Sequence, residues 1–436
     1  MLNPKTHTSE HAQSYYFSSR QYTQQYPLLS GEVSTDICVI GGGFSGVNTA
    51  LELAERGHKV TLIEAYRIGW GASGRNGGQL IRGIGHGLDQ FKNKIGEDGI
   101  QQIHKMGFEA VEIVKSRVQK YNINCDLKMG YCDLANKPRH MQDFEEELVW
   151  LDKMGYPYES KLIQKEDMHQ VVGSDFYLGG LTDMGSGHLH PLNLVAGEAQ
   201  AASSLGVQIF EQSPVTDIQY AHQTGQSEHV IKTEHGQIKA HQLVICGNAY
   251  VAGLDKTLEG TVLPAGSYVI ATEPLSEEVA NKVLPQDMAV CDQRVDLDYY
   301  RLSADRRLLF GGLCTYSGRD PKSIIDALRP NMDRVFPYLK DVKIDFHWGG
   351  MIGIGANRFP QVGMLHPNVY YAQAYSGHGV NATHMAAKII AEAIDGQQER
   401  LELLSKIKHM RFPGGRNLRS PLLAAGMLYH RVKDLF

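Results

Sequence analysis

Glycine spacing near the start of the chain is the feature of the sequence that most directly predicts chemistry. Gly41, Gly43 and Gly46 fit the pattern G-x-G-x-x-G. In this pattern the first glycine allows a tight turn, the second lets the backbone approach a pyrophosphate, and the third lets a helix pack on a strand. Glu64 follows after about 20 residues, where a carboxylate accepts hydrogen bonds from ribose hydroxyls. The predicted dinucleotide contacts also include Phe44, Ser45 and Ala65.

The segments around these glycines predict the elements that would position them. Residues 37–40 are a continuous apolar run, which is typical of a parallel strand buried on both faces. An amphipathic helix follows and ends at Gly57, and residues 60–63 form a second apolar strand. An ordinary tight turn between a strand and a helix is the alternative. The complete strand–glycine–helix–strand–acid order favours dinucleotide binding.

A second glycine-rich stretch comes directly after this unit. Residues 68–80, IGWGASGRNGGQL, contain five glycines and therefore predict a loop rather than a helix or strand interior. Such a loop can lie close against a flat or anionic group. A flexible surface loop is the alternative, but closeness to the dinucleotide motif favours a cofactor role. The predicted contacts in this loop are Gly71, Ala72, Ser73, Arg75, Asn76, Gly77, Gly78 and Gln79.

A third turn predicts which dinucleotide is bound. Residues 369–372 form a short strand, and YSGHGV then opens an amphipathic helix whose free N–H groups make an anion site. A single nicotinamide motif leaves this second strand–glycine–helix unit unexplained, whereas a flavin dinucleotide occupies both. The contacts predicted from this part of the sheet are Val215, Gly247, Gly377, His378, Gly379 and Val380.

Catalytic candidates come from the same turn and from an alternating segment. Tyr299 and Arg301 share one face of a predicted strand, and Tyr300 lies on the other. Either tyrosine face is a candidate pocket wall, with two half-buried sheet residues as the alternative. His378 is a candidate for contact with cofactor or substrate. The pair His188 and His190 has no third ligand nearby, so a structural role is favoured over a metal site.

Composition limits the classes of function. The 436 residues carry a net charge of −5 and no concentrated basic stripe, which argues against nucleic acid as a partner. Six cysteines occur without a C-x-x-C pair, a usage typical of the reducing cytoplasm. The polar start of the chain is not a signal peptide, and no stretch is long enough for stable membrane insertion. Apolar residues 422–428 are predicted to pack on the body of the protein.

Taken together, the sequence resembles the FAD-dependent D-amino-acid oxidase superfamily over nearly its whole length. The motifs that carry the resemblance are GGGFSG, GWGASGRNGGQL, GSGHLHPLNL, CGNAY, DYYRLSADRRLLFGG, FPQVG and YSGHGV. The resemblance implies a two-domain α/β flavoprotein, with a Rossmann-like FAD-binding domain and a mixed-sheet α+β substrate domain. The predicted parts are an N-terminal arm (1–33), an FAD-binding domain (34–84, 180–262 and 345–400), a substrate domain (85–179 and 263–344) and a C-terminal helical tail (401–436).

One departure from relatives in the superfamily bears on the substrate. Amino-acid oxidases often carry W-x-G-x-R-P, whose arginine holds the substrate carboxylate, but here the passage is WGGMIG, with Ile352 at the arginine position. This favours a primary amine without an adjacent carboxylate, such as gamma-glutamylputrescine. The expected reaction gives an aldehyde, ammonia and hydrogen peroxide, with oxygen as the electron acceptor. Tyr299 and Tyr300 would hold the amine, and Arg301 or Arg75 would meet the distal carboxylate.

The cofactor is predicted to be non-covalent FAD, because the sequence lacks the cysteine or histidine that links flavin in covalent relatives. Several alternatives stay open at this point. Another gamma-glutamylated amine or an amino acid is a possible substrate, and an electron carrier is a possible substitute for oxygen. A non-catalytic flavin-binding protein and an NAD-dependent enzyme are further alternatives.

Overall fold

Two β-sheets and the helices that cover them make up the fold. The structure is a computed structural model, and it describes residues 9–251, 253–294, 296–316 and 320–413. The first sheet carries the glycine turns, and the second sheet covers them from one side. The predicted α/β class with a mixed second sheet is confirmed.

The strands are numbered in chain order. They are β1 (Gly31–Ile40), β2 (Val60–Ile63), β3 (Gln79–Leu80), β4 (Lys128–Ala135), β5 (Ser160–Gln164), β6 (Gly179–His188), β7 (Gln208–Phe210), β8 (Asp217–Gln219), β9 (His229–Lys232), β10 (Gly236–Ile245), β11 (Val262–Thr272), β12 (Ala289–Asp292), β13 (Tyr299–Leu302), β14 (Leu308–Thr315), β15 (Ile344–Gly355), β16 (Gln361–His366) and β17 (Val369–Gln373).

The helices are numbered in the same way. They are α1 (Tyr15–Ser18), α2 (Phe44–Glu55), α3 (Lys92–Lys120), α4 (Pro138–Lys153), α5 (Pro191–Ser204), α6 (Ala221–Thr224), α7 (Lys256–Thr261), α8 (Glu277–Val283), α9 (Ile324–Val335), α10 (Val380–Ile394) and α11 (Glu399–Ser405). None of the described helices is both long and apolar enough to cross a membrane.

The first sheet has the order β16-β17-β10-β1-β2-β7, and β9 and β8 extend it from β10. Strands β17, β10, β1, β2 and β7 run parallel, and all four residues of β2 are buried. Because parallel strands end at the same edge, the turns after β1, β10 and β17 meet there. These are the turns that carry the glycines at 41–46, 247 and 377–379.

The second sheet has the order β15-β11-β14-β13-β12-β4-β6-β3, and β5 pairs with β6. It is largely antiparallel, with β12 and β4 parallel to each other. One face, which we call the front face, carries Tyr299 and Leu309 toward the first sheet and its helices. The back face packs Tyr300 and Phe310 against α9 and its neighbours.

The predicted domain ranges differ from the sheet membership at three strands. Strands β3, β6 and β15 lie largely in ranges predicted for the FAD-binding domain, yet all three pair within the second sheet. β6, GGLTDMGSGH, is buried along nearly all of its length, but its four glycines and polar residues show no apolar pattern. β15 is rich in glycine, so its sequence lacks a clear alternation. The sheet to which such a strand belongs is decided by hydrogen bonds to strands far away in the sequence. The local sequence pattern does not contain this information.

The N-terminal arm is more ordered than its sequence indicates. Part of the expected extended arm is helix α1, whose N-terminus is capped by Ser14 Oγ accepting from Phe17 N at 3.2 Å. Tyr16 is completely buried, and its ring meets those of His190 and Trp348 edge-on. The arm therefore packs in the interior. The predicted packing of residues 422–428 lies outside the described residues.

Candidate functional site

The turn after β1 is shaped to hold an anion. Gly41 has φ +114°, and a Cβ on Gly46 would overlap the Gly41 carbonyl oxygen. Gly43, the N-cap residue of α2, has no side chain to cap the helix. Phe44 N donates to Ser73 Oγ, and the backbone N–H groups that follow it in the first turn are left for a ligand. These N–H groups and the helix dipole together form a site suited to a pyrophosphate.

Glu64 is fixed at the end of β2 beside this turn. Its Oε2 accepts from Gly42 N at 2.5 Å, and its Oε1 accepts from Tyr66 N at 2.8 Å. Burial raises the pKa of the Glu64 carboxyl. Ala65 follows it, and Glu64 O accepts from Ser213 N two residues before Val215. The structure thus brings Glu64, Ala65 and the segment of Val215 to the same end of the sheet.

The glycine-rich loop 68–80 is bonded directly to the first turn. Phe44 N donates to Ser73 Oγ at 2.8 Å, and Gly69 N donates to Gly42 O at 2.8 Å. Gly71 precedes a short 3₁₀ helix, Ala72–Gly74. Beyond it, Gly78 N donates to Asn76 Oδ1 at 2.8 Å. The loop therefore has one defined course past the anion site.

The turn before α10 is hydrogen-bonded to the other glycine turns. Tyr375 Oη lies 2.7 Å from Ser45 Oγ at the start of α2. Ala374 N donates to Asn248 Oδ1 at 2.9 Å, which ties this turn to the one at Gly247. Gly377 is exposed with φ +91°. Gly379 begins α10 without a side-chain cap, so Val380 and its neighbours present free backbone donors.

His378 is held by the backbone. Its Nε2 donates to Gly83 O at 3.0 Å, and Asn381 Nδ2 donates to the same oxygen at 2.6 Å. Burial lowers the pKa of His378, so the ring is neutral near pH 7. His378 thus fastens the Gly377 turn to the segment after β3. Its contact with cofactor or substrate stays a prediction.

These observations test whether the residues fit FAD. A glycine turn with uncapped helical donors suits the pyrophosphate, a half-buried acid at the end of β2 suits the ribose, and a second uncapped helix suits a flavin carbonyl. The residues present therefore fit the cofactor that the sequence predicts.

Tyr299 forms part of the front face at this site. Its ring packs against Gly77 of the glycine-rich loop and against Gly311 of β14, and a Cβ on either glycine would overlap it. Its Oη lies 3.5 Å from Ser267 Oγ. Gln79 reaches the same sheet, because its Nε2 donates to Val290 O at 2.8 Å. Tyr299 and the loop therefore shape one surface.

Tyr300 does not belong to that surface, which corrects the prediction of a wall made by both tyrosines. Its Oη donates to Tyr177 Oη at 3.0 Å, and its ring stacks on Phe310 in the back-face core. Successive residues of a strand point to opposite faces, so only Tyr299 can face the loop. The sequence alternation already required this separation.

Arg301 is also corrected as a substrate ligand. Its Nε donates to Gly77 O at 2.8 Å, its Nη1 to Leu302 O at 3.1 Å and its Nη2 to Tyr16 Oη at 3.2 Å. The side chain is 2% exposed. Each of its three nitrogens is held by a protein acceptor and the side chain is buried, so the guanidinium is not placed to bind a substrate.

Arg75 is the other predicted ligand of a carboxylate. Its Nε donates to Trp70 O at 2.7 Å and its Nη1 to Gly349 O at 3.2 Å, and the guanidinium lies over the Trp70 ring. Burial lowers the pKa of Arg75. It forms no ion pair with any described carboxylate. The side chain also contacts Gly350, two residues from Ile352 on the same face of β15.

Ile352 lies at the site itself. It is half-buried, and its Cδ1 is 4.0 Å from the position a Cβ on Gly377 would take. An apolar side chain therefore faces the α10 turn where amino-acid oxidases carry an arginine.

Asp133 on the front face was missed by the sequence reasoning. Tyr299, Cys291 and Asp133 are direct neighbours across β13, β12 and β4. Asp133 Oδ1 accepts from Tyr131 Oη at 3.0 Å and from Gln293 Nε2 at 2.7 Å. Burial and the nearby Glu147 raise the pKa of Asp133 to about 7. The sequence offered no local signal for it, because Asp133 joins Tyr299 only through the pairing of β4 with β12.

The nearest buried cation to Asp133 is already paired. Arg82 donates from Nη1 to Asp183 Oδ2 at 2.5 Å and from Nη2 to Glu147 Oε1 at 2.5 Å. Arg82 directly precedes Gly83, whose oxygen accepts from His378. The carboxylates around Arg82 therefore adjoin the Gly377 turn, and Arg82 itself has two carboxylate partners.

His188 and His190 have structural bonds. His188 Nε2 donates to Asp287 O at 2.7 Å, and His190 Nδ1 accepts from Asn193 N at 3.1 Å in the first turn of α5. Burial lowers the pKa of each ring to about 3. The described residues contain no cluster of three metal-ligating side chains.

The fold and the glycine turns define a flavin-dependent oxidoreductase, and comparison with known proteins specifies the family. The family described as "DAO: FAD dependent oxidoreductase" matches residues 36–393. The chain therefore belongs to the DAO family of FAD-dependent oxidoreductases, whose members bind FAD.

Two curated relatives match the chain from end to end. A "Probable oxidoreductase OrdL" of Haemophilus influenzae is 43% identical, with 98% of each chain covered. The "Gamma-glutamylputrescine oxidoreductase" of Escherichia coli is 39% identical, with 98% of this chain and 99% of that protein covered. The chain is similar to both over their full lengths.

Solved structures support the fold. Glycine oxidase from Bacillus cereus superposes with a TM-score of 0.70 at 19% identity, covering 86% of this chain and 99% of that one. L-proline dehydrogenase from P. horikoshii gives a TM-score of 0.71 at 22% identity, covering 85% and 96%. At these identities the likeness concerns the arrangement of sheets and helices.

Proposed function

We propose that this enzyme oxidises the free primary amine of a gamma-glutamylated amine, with gamma-glutamylputrescine as the first candidate. The products are the corresponding aldehyde, ammonia and hydrogen peroxide. The observation that carries the proposal is Ile352 facing the Gly377 turn, where a cation would be needed to bind a carboxylate beside the reacting carbon.

The acidic part of the front face supports an amine substrate. Asp133 lies in one row with Tyr299, and its direct partners are a phenol and an amide rather than a cation. A carboxylate in this position attracts a substrate ammonium and accepts its proton, which leaves the neutral amine that oxidation requires. Arg82 offers nothing to a substrate carboxylate here, because two acids already hold it.

Arg75 is the proposed partner of the distal carboxylate of the glutamyl group. It is the better of the two predicted arginines, since Arg301 is held by Gly77 O and Tyr16 Oη. Arg75 contacts Gly350 on the face that Ile352 shares, and its cation has no acidic partner among the described residues. A buried guanidinium without such a partner favours an anionic ligand.

The catalytic roles follow from this arrangement. FAD, when bound, supplies the acceptor for a hydride from the carbon that bears the amine. Tyr299 forms an apolar wall that orients the amine, and Asp133 holds the proton taken from the ammonium. The uncapped first turn of α10 supplies fixed donors where negative charge develops. Water then converts the imine to aldehyde and ammonia.

The flavin is proposed to be bound without a covalent link, and oxygen is proposed to accept its electrons. An electron carrier in place of oxygen is the main competing arrangement. The cysteines near the front face, Cys291 and Cys314, are half-buried, and burial raises the pKa of Cys291. A thiol held protonated is a poor nucleophile toward the ring.

Product analysis tests the proposal. Purified protein is incubated in air with gamma-glutamylputrescine, and aldehyde, ammonia and hydrogen peroxide are measured separately. Equal amounts of all three support an oxidase acting on a primary amine. Aldehyde and ammonia that appear only with an added electron acceptor indicate a dehydrogenase. Acid precipitation that releases all the flavin supports non-covalent binding.

A further inference from the structure

We infer that Arg301 is a positioning residue that connects the N-terminal helix α1 to the Gly77–Gly78 turn, and that this contact sets the environment of the bound flavin. The inference rests on the proposed flavin site and deepens it. It makes the N-terminal arm part of the cofactor site, through the contacts of Arg301 with Tyr16 and with Gly77.

The bonding of Arg301 is unusual for a buried cation. The side chain is 2% exposed and forms no ion pair with a described carboxylate, although burying an unpaired charge is costly. Its identified acceptors are two main-chain carbonyls, at Gly77 and Leu302, and the phenol of Tyr16. A buried arginine of this kind is retained where the planar, forked geometry of its hydrogen-bond donors is needed.

One strand holds the Gly77–Gly78 turn at two points. Tyr299 packs on Gly77, and Arg301, two residues later on the same face of β13, donates to the Gly77 carbonyl. Gly78 has φ +72°, and a Cβ there would lie 2.7 Å from Arg301 Nη2. Its oxygen accepts from Leu189 N at 2.7 Å. Any shift of Arg301 therefore moves the loop.

Tyr16 is the partner on the side of the arm. It is completely buried, and its ring meets Trp348 at 5.1 Å and His190 at 4.9 Å between ring centres. Trp348 Nε1 in turn donates to Arg75 O at 2.9 Å within the same glycine-rich loop. The arm thus contacts the loop through Arg301 and also through Trp348.

A cavity of about 390 Å³ gives experimental access to this contact. Arg301 lines it together with Tyr15, His190 and Asp305. A small cation added to the solution can therefore reach the place of the guanidinium once that side chain is shortened. The cavity makes it possible for added guanidinium to rescue the Arg301→Ala variant. A fully packed interior would not admit the ion.

The experiment compares Arg301→Ala and Tyr16→Phe with the matched control Tyr15→Phe. Tyr15 lies on the same helix, and its Oη donates to Asp305 Oδ1 at 2.7 Å without touching Arg301. The readouts are the visible absorbance and circular dichroism of the bound flavin without substrate, the dissociation constant for FAD, and thermal unfolding of the apoprotein. Guanidinium chloride at low millimolar concentration is then added.

We expect Arg301→Ala to change the flavin spectra and to weaken FAD binding by about tenfold, with partial recovery on adding guanidinium. Tyr16→Phe should shift the spectra in the same direction by a smaller amount, and Tyr15→Phe should leave them unchanged. Unaltered spectra in Arg301→Ala would overturn the inference, as would equal effects of Tyr15→Phe and Tyr16→Phe. Because no substrate is used, these results are independent of whether the proposed amine is oxidised.

If Arg301→Ala fails to fold, Arg301→Lys replaces it. A lysine keeps the charge but loses the fork that reaches both Gly77 and Tyr16, so the spectra should still change. Wild-type spectra in a stably folded Arg301→Lys protein would also overturn the inference.

Discussion

The ring of Tyr299 and the backbone of Gly77 are in such close contact that no side chain fits between them. This contact joins the second sheet to the glycine-rich loop of the cofactor site, so a residue of one sheet fixes a loop of the other. The candidate site is therefore a composite of both sheets, and substitutions on either side of the contact should affect the flavin.

Replacing Gly77 by alanine tests this contact. The added methyl group would overlap the Tyr299 ring, so Gly77→Ala should displace the loop and lower flavin occupancy of the purified protein. Gly77→Ala combined with Tyr299→Ala removes the overlap and should recover occupancy. Equal loss in the single and double variants would show that the ring is not the cause.

Glu64 should be needed for FAD retention. Glu64→Ala removes the proposed acceptor for ribose hydroxyls and the acceptor for Gly42 N. We expect the dissociation constant for FAD to rise by about tenfold or more, the size of effect typical for a charged hydrogen bond. Fluorescence titration of apoprotein measures it, with Glu32→Ala at the exposed start of β1 as the control. Full flavin occupancy in Glu64→Ala would refute the ribose assignment.

Ile352 should exclude amino acids. Ile352→Arg returns a cation to the position beside the Gly377 turn, so oxidation of D-amino acids or glycine should increase relative to the primary amine. Ile352→Leu keeps the apolar character and serves as the control. The ratio of kcat/KM values for the two substrate classes is the readout. An unchanged ratio in a folded, flavin-bound Ile352→Arg protein would speak against this role.

Asp133 should control the acid side of the pH profile. Its pKa is raised to about 7 in a group that also includes Glu147, Asp183, Arg82, Tyr131 and Cys291. The ionised form accepts the substrate proton, so kcat/KM should rise with pH through this region. In Asp133→Asn the rise should vanish and kcat/KM should fall by about 100-fold, the size expected for loss of a base. Glu147→Gln is the matched control, and it should move the rise to lower pH.

The same carboxyl predicts how stability depends on pH. Because its pKa is higher in the folded state than in the unfolded chain, the folded protein binds more protons between about pH 4 and 7. Its contribution to the free energy of unfolding is therefore present at low pH and is lost as pH rises through 7. Thermal unfolding of wild type and Asp133→Asn across this range measures the difference. We expect wild type to lose stability relative to Asp133→Asn as pH rises, and a gain in the relative stability of wild type would contradict the sign.

The sequence alone predicted the cofactor side of the site better than the substrate side. Short local motifs predict the cofactor side, because each motif requires one backbone conformation. These motifs are the glycines of 41–46, Glu64 and the turn before α10, and the structure brings them together. The roles of Arg301 and Tyr300 depend on which face of β13 meets the loop, and strand periodicity leaves that choice open. Asp133 becomes visible only when β4 pairs with β12. Pairing over distance is the information that the sequence lacked.

The most direct test of the proposed function is an anaerobic titration of the purified, flavin-bound protein with gamma-glutamylputrescine, putrescine and a D-amino acid. Bound flavin loses its visible absorbance when it takes up a hydride. The account predicts bleaching by gamma-glutamylputrescine at concentrations where the other two compounds have little effect. Bleaching by the D-amino acid in preference to the amine would contradict the role of Ile352, and flavin that no amine bleaches would contradict the proposed function.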